Sequence, residues 1–144
     1  MSRINYTDEE DHPGQFALWQ ANCLRSIKGK NGQAALRELE QALLALPDKR
    51  LIAGDLQDEQ GNVCAIGALA RHKNHTPKAD PEYEMEAVGV ELGMPELVAW
   101  TVVCLNDREL DKHYDREQGR CVLYTPEERY ERVLKTVQGW LAAA

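Results

Sequence analysis

The sequence predicts a mainly α, compact single domain of about five or six helices with a small β-hairpin. Three observations predict it. Apolar residues recur at three- and four-residue steps along most of the chain, the period of a helix with one buried face. Gly29, Pro47, Gly93, Pro95 and Pro126 fall between those stretches, where each can stop or start a helix. The 144 residues, 43% hydrophobic and 28% charged, are one domain's worth with enough apolar surface for one core.

Residues 1–13 are polar and acidic, end at Pro13, and read as a loose arm ahead of a single helical domain over 14–144. From Gly14 a first helix carries the stripe Phe16, Trp19, Cys23 and Ile27, with Gly29 as its C-terminal stop. A second follows over roughly 32–46, with Leu36, Leu39, Leu43 and Leu46 on one face and Pro47 ending it. The segment 50–64 changes character. Leu51-Ile52-Ala53, the turn signal Asp58-Glu59-Gln60-Gly61 and Asn62-Val63-Cys64 predict the small β-hairpin or a pair of extended segments.

Cys64 to Ala70 is rich in small residues, which let another backbone come close, and is expected to be a short buried helix at the centre of the fold. Pro77 and Pro81 mark a loop over 73–82. A fourth helix spans roughly 82–92, with Met85, Val88 and Leu92 inward and Gly93 as its cap. The fifth starts at Pro95. Leu97, Val98, Trp100, Val102, Val103 and Leu105 make it apolar nearly all round, so it is expected to be buried, and Asn106-Asp107 ends it. Residues 107–120 are densely charged, and 121–124 read as extended. Thr125-Pro126-Glu127-Glu128 is a helix start in which threonine caps, proline takes the first position and Glu128 closes a capping box. Tyr130, Val133, Leu134, Val137 and Leu141 then form its apolar face.

The charge balance is acidic: 24 Asp and Glu against 17 Lys and Arg, net −7. The second half carries most of the excess, with Glu82, Glu84, Glu86, Glu91 and Glu96 clustered around the fourth helix. Such a surface repels nucleic acid unless a basic patch is segregated, which argues against a general nucleic-acid binder. The acidic cluster is a candidate interaction face, able to occupy a basic cleft on another protein, or else a solvated face. No apolar run approaches a membrane span, and the N-terminus lacks the apolar stretch of a signal peptide, so no membrane role and a cytoplasmic location are expected.

Four cysteines, Cys23, Cys64, Cys104 and Cys121, are widely spread with no paired spacing, so no metal site is read and no cofactor is called for. Cys23 and Cys104 lie among apolar neighbours and are expected to pack as small hydrophobes. Cys64 is the one catalytic candidate. A thiol opening a helix feels the positive end of the dipole, and a thiol enzyme would add His72, His75 or His113 as base and Asn106 or Asp107 as orienter. Its apolar neighbours Val63, Ala65 and Ile66 argue instead for a buried spacer of raised pKa. Arg25, Lys28 and Lys30 make the turn 25–32 a candidate anion site, although it lacks the spacing of a phosphate-binding loop. Asn106-Asp107 can bind a ligand or cap a helix end.

Several blocks carry a resemblance. They are Gly61-Asn62-Val63-Cys64-Ala65-Ile66-Gly67-Ala68, Gly29-Lys30-Asn31-Gly32-Gln33-Ala34, Lys49-Arg50-Leu51-Ile52-Ala53, the pair Asn106-Asp107, and Thr125-Pro126-Glu127-Glu128-Arg129-Tyr130-Glu131-Arg132-Val133. In this order, over roughly residues 25–140, the chain resembles small accessory proteins encoded by tailed phages and prophages. The resemblance implies a phage accessory role in the host bacterial cytoplasm and names no catalytic residue. Asn31 stands where many relatives carry a basic residue, which counts against anion binding. No motif assembles nucleophile, base and oxyanion donor in order. The expected function is therefore non-enzymatic: binding of a host or phage protein, as in inhibition of a host defence or transcription component. A thiol-dependent enzyme centred on Cys64 and a virion-associated structural protein are the alternatives. Oligomeric state is not readable from the sequence.

Overall fold

The computed structural model describes residues 13–107 and 112–143. They are mainly helical, with six helices: α1 (Pro13–Lys28), α2 (Lys30–Ala45), α3 (Ala65–His72), α4 (Met85–Glu91), α5 (Glu96–Asp107) and α6 (Pro126–Ala142). Apart from Pro13, which opens α1, the N-terminal arm lies outside the described residues. None of the described helices is long and apolar enough to cross a membrane.

A single residue, Gly29, separates α1 from α2. Its backbone is extended, at φ −69° and ψ 164°, and it stands at the N-cap of α2. Gly29 thus follows the last residue of α1, where the sequence placed the stop, and turns the chain through an extended conformation. Close approach explains the second glycine. A Cβ on Gly32 would sit 2.0 Å from the Ser26 carbonyl oxygen, so only glycine lets the two helices meet there.

The short helix α3 packs against α2, α4 and α5. All its residues from Ala65 to Ala70 are buried. A Cβ on Gly67 would fall 2.2 Å from the Leu56 carbonyl oxygen, and one on Gly89 would fall 2.8 Å from the Ala99 Cβ. Within the small-residue run Gly67 thus lets a loop come against α3, while Gly89 lets α4 come against α5. Around it Leu36, Leu39, Leu43, Ile66, Leu69, Val98, Val102, Val133 and Val137 are almost wholly shielded from water. Each such side chain stabilises the fold by roughly 1.5–3 kcal/mol relative to exposure.

The start of α6 follows its sequence signature. The Thr125 hydroxyl accepts from the Glu128 amide at 3.1 Å, and the Glu128 carboxylate accepts from the Thr125 amide at 2.9 Å. Tyr130, Val133 and Val137 face the core, and the Tyr130 hydroxyl donates to the Leu43 carbonyl at 2.9 Å, tying α6 to α2.

The hairpin expected over 50–64 does not form. The two arms meet through an isolated bridge between Gln57 and Val63 and through single backbone bonds from the Ile52 amide to Val63, the Asp58 amide to Asn62 and the Cys64 amide to Leu56. The reason lies in where the backbone groups go. The Leu51 amide donates to the Pro126 carbonyl, the Leu51 carbonyl accepts from Arg129, and the Ile52 carbonyl accepts from Asn106. With those groups taken by α5 and α6, the pairing stops short of a regular ladder. Backbone pairing of Lys112–Asp115 with Arg120–Leu123, antiparallel, occurs instead between α5 and α6.

A second correction concerns α5. Val98, Ala99, Val102, Leu105 and Asn106 are buried, but Trp100 is 40% exposed and Cys104 is exposed. The apolar surplus of this helix is not all interior.

Candidate functional site

Two places in the fold gather the residues that sequence reading singled out or should have. The first is the N-terminus of α3. Cys64 is its N-cap, 2% exposed, and its sulfur accepts from the Gly67 amide at 3.4 Å. The Asn106 side chain supplies the other half of the cap. Its Oδ1 accepts from the Ala65 amide at 3.0 Å, while its Nδ2 donates to the Ile52 carbonyl at 2.9 Å and to Asp107 Oδ1 at 2.7 Å. Asp107 Oδ1 also accepts from the Gly54 amide at 3.1 Å. Arg129, buried beside them, donates to the Leu51 carbonyl at 3.0 Å. Burial lowers the Arg129 pKa, and the Asp107 carboxylate opposes that shift.

The structure thus brings Cys64, Asn106 and Asp107 together, but as a cap and loop anchor. Burial pushes the Cys64 thiol up to about 12; the Gly67 amide works against this, and the Asp107 charge adds to it. At neutral pH a thiol of that pKa is ionised to the order of one part in 10⁵, against a few per cent for an exposed cysteine. The helix dipole does not rescue it. No histidine is placed to help among those described. His72 is exposed at the far end of α3, about 12 Å along an eight-residue helix. His75 is engaged with Glu91, Nε2 to Oε1 at 3.1 Å. His113 lies in the paired strand, and its side chain is outside the described residues.

The other candidates are also accounted for by structure. Arg25 closes α1 and bonds to Asn22; Lys28 ends α1 and Lys30 opens α2. The stretch 25–32 is therefore two helix ends and one glycine, with no loop to cradle an anion. Of the acidic cluster, Glu91 clasps the 75–79 loop by accepting from the Lys78 and Ala79 amides at 2.8 and 2.6 Å. Those bonds and His75 hold its carboxyl down at about 2. Glu82, Glu84 and Glu96 are exposed, and Glu86 is half-buried. Among the described residues, no group of three His, Cys, Asp or Glu side chains could hold a metal ion.

The second place is a groove that the sequence did not announce. It opens where α1, α5 and α6 meet, and it has two lobes of about 530 and 340 Å³. Both are lined by Trp100, Thr101 and Cys104 of α5 and Trp140 of α6. The larger lobe adds Val103, Leu105, Asp107 and Thr136. The smaller adds Trp19, Gln20, Cys23, Leu24 and Ile27 of α1. Trp19 and Trp100 are about two-fifths exposed and Leu24 is half exposed. All three tryptophans of the chain therefore face one groove. Cys23 is buried at its wall, as expected, whereas Cys104 is exposed in it, contrary to its expected packing. The available signal was α5 itself: a helix apolar nearly all round carries more apolar surface than one packed face hides.

Such a groove can do recognition chemistry. Each lobe falls within the usual volume of a pocket for a ligand or a bulky side chain, and exposed tryptophans concentrate binding energy. Among the described residues, no pair of acid and base lines it, and no cation does. Comparison with protein-family models, with curated proteins and with solved structures finds no match.

Proposed function

We propose that this chain is a non-enzymatic phage accessory protein that binds a host or phage protein, and that the tryptophan-lined groove is where it binds. The observation that carries the reading is the convergence of Trp19, Trp100 and Trp140 from three separate helices onto one open apolar groove. A folded chain gains stability by burying such rings, so their exposure needs another reason, and partner contact is the common one. The phage context rests on the resemblance in motif order alone. The thiol-enzyme alternative loses support from the burial of Cys64 and the distance to His72.

The test compares affinity capture from host lysate by the unaltered chain and by Trp100→Ser. The ring is partly exposed, so the variant should fold. A specific partner recovered by the first and depleted about tenfold or more with the second is expected. Equal recovery by both would remove the groove from the account. Equal recovery combined with loss on charge reversal at Glu82 and Glu84 would move binding to the acidic cluster.

A further inference from the structure

The face around the groove differs in charge from the rest of the chain. We propose that, with no partner present, two copies of this chain close their grooves against each other about a two-fold axis. This rests on the groove being the recognition surface proposed above, and adds what covers it beforehand.

Charge argues for a second copy. The chain carries net −7, so most of its surface repels another copy. The groove face does not. α1 has two cations and no acid, α5 has two acids and no cation, and α6 has three of each, so the three walls together carry no net charge. Two copies can meet there without gathering like charge. The charges beside the groove are also spare. Arg25 and Lys28 flank the lining residues Leu24 and Ile27, Lys135 flanks Thr136, and Glu96 stands one turn before Trp100; all four are exposed. Among the described residues none of the four is in an ion pair. A rim holding unpaired charges of both signs is what a two-fold contact can use. Wherever a cation of one copy faces an acid of the other, the reverse pair forms across the axis.

The apolar lining supplies the affinity. Trp19, Trp100 and Leu24 are two-fifths to one-half exposed, and Leu18 on α1 is exposed as well. Association hides such surface from water. The same tryptophans cannot serve a partner and a second copy at once. Self-association therefore holds the groove shut until a tighter-binding protein displaces the second copy, and the open fraction falls as the chain becomes more concentrated.

Sedimentation of the purified chain over a concentration series tests this without any partner, so its failure is distinct from failure of the lysate capture. A reversible monomer–dimer equilibrium is expected, with the mass rising from 16.3 kDa towards twice that. Tryptophan emission should shift to the blue in step, because every tryptophan of the chain lines the groove. Trp100→Ser and Leu24→Lys, tested separately at exposed positions with helix content checked by circular dichroism, should each weaken the dimer about tenfold or more. Two further chains test the charge pairing. One carries Arg25→Glu with Lys28→Glu, the other Glu96→Lys, and each alone should dimerise several-fold more weakly. An equimolar mixture of the two should recover association as a mixed dimer, since each then offers the sign that the other lacks. No recovery in the mixture would overturn the charge pairing. A chain that stays monomeric at every concentration would overturn the proposal and leave the groove to a different protein. A dimer that both Trp100→Ser and Leu24→Lys leave intact would place self-association on another face, and would overturn it as well.

Discussion

Replacing Asn106 with alanine removes the side chain that joins three parts of the fold. Asn106 is 1% exposed, and its amide makes three hydrogen bonds, to the Ala65 amide, the Ile52 carbonyl and the Asp107 carboxylate. Alanine leaves the first two as buried backbone groups without those partners. Each such orphan costs about 1–3 kcal/mol, and the lost carboxylate contact adds to that, so Asn106→Ala should destabilise by about 3–5 kcal/mol. Against a total stability of about 5–15 kcal/mol this is a large fraction. It corresponds to a fall in Tm on the order of 10 °C for a chain of this size. Urea unfolding followed by far-ultraviolet circular dichroism measures it, provided the slope with denaturant is unchanged. Asn106→Asp sharpens the test. It keeps an acceptor for the Ala65 amide, loses both donated bonds, and sets a second carboxylate beside Asp107. It should therefore be severely destabilised at neutral pH and recover partly as the pH falls and the new carboxyl gains a proton. A loss under about 1 kcal/mol for Asn106→Ala would refute the view of this residue as the cap and anchor of α3.

Two glycines should respond in opposite directions. Gly67→Ala drives a Cβ into the Leu56 carbonyl and should cost about 2–3 kcal/mol, whereas Gly139→Ala meets nothing within 4 Å in α6 and should add roughly 0.5–1 kcal/mol. Thermal unfolding of the pair checks both signs, and a neutral Gly67→Ala would contradict the close approach. The Glu91 clasp predicts acid sensitivity of the 75–79 loop. A carboxyl held below its unfolded value stabilises above that value, near 4.5, and the contribution fades as the pH falls towards 2. Hydrogen exchange at the Lys78 and Ala79 amides should accelerate over that range, and Glu91→Gln should show the same loss of protection at neutral pH. Unchanged protection in the variant would mean the loop is held otherwise.

Legibility in the sequence followed the range of the interactions. The capping box at Thr125 and Glu128 is complete within four residues, so its residue types alone specify it. The end of α4 at Leu92 and Gly93 is equally local. The burial of α3 was readable from its small residues, but the reason for Gly67 was not, because the Leu56 carbonyl reaches it only through the folded loop. The 50–64 segment misled for the same reason: its backbone partners are Asn106, Pro126 and Arg129, which no local pattern reveals. The pair Asn106-Asp107 was read as ending its own helix, and it does, yet its side chain caps a different one. The groove was least visible. Its walls come from Trp19, Trp100 and Trp140, each of which reads along its own helix as one more apolar residue. Only the folded meeting of α1, α5 and α6 brings them to one groove.

The account stands on Cys64 being an interior cap while the chain works through the groove. Site-resolved thiol labelling of the native protein at neutral pH tests this most directly, since exposed Cys104 lies in the groove and Cys64 is buried in the core. Cys104 should label before Cys64, at a rate that occupancy of the groove slows, while Cys64 labels only as fast as the whole chain unfolds. Rapid labelling of Cys64 in the folded state, faster than Cys104 and sensitive to a neighbouring histidine, would contradict the account and return the chain to thiol chemistry.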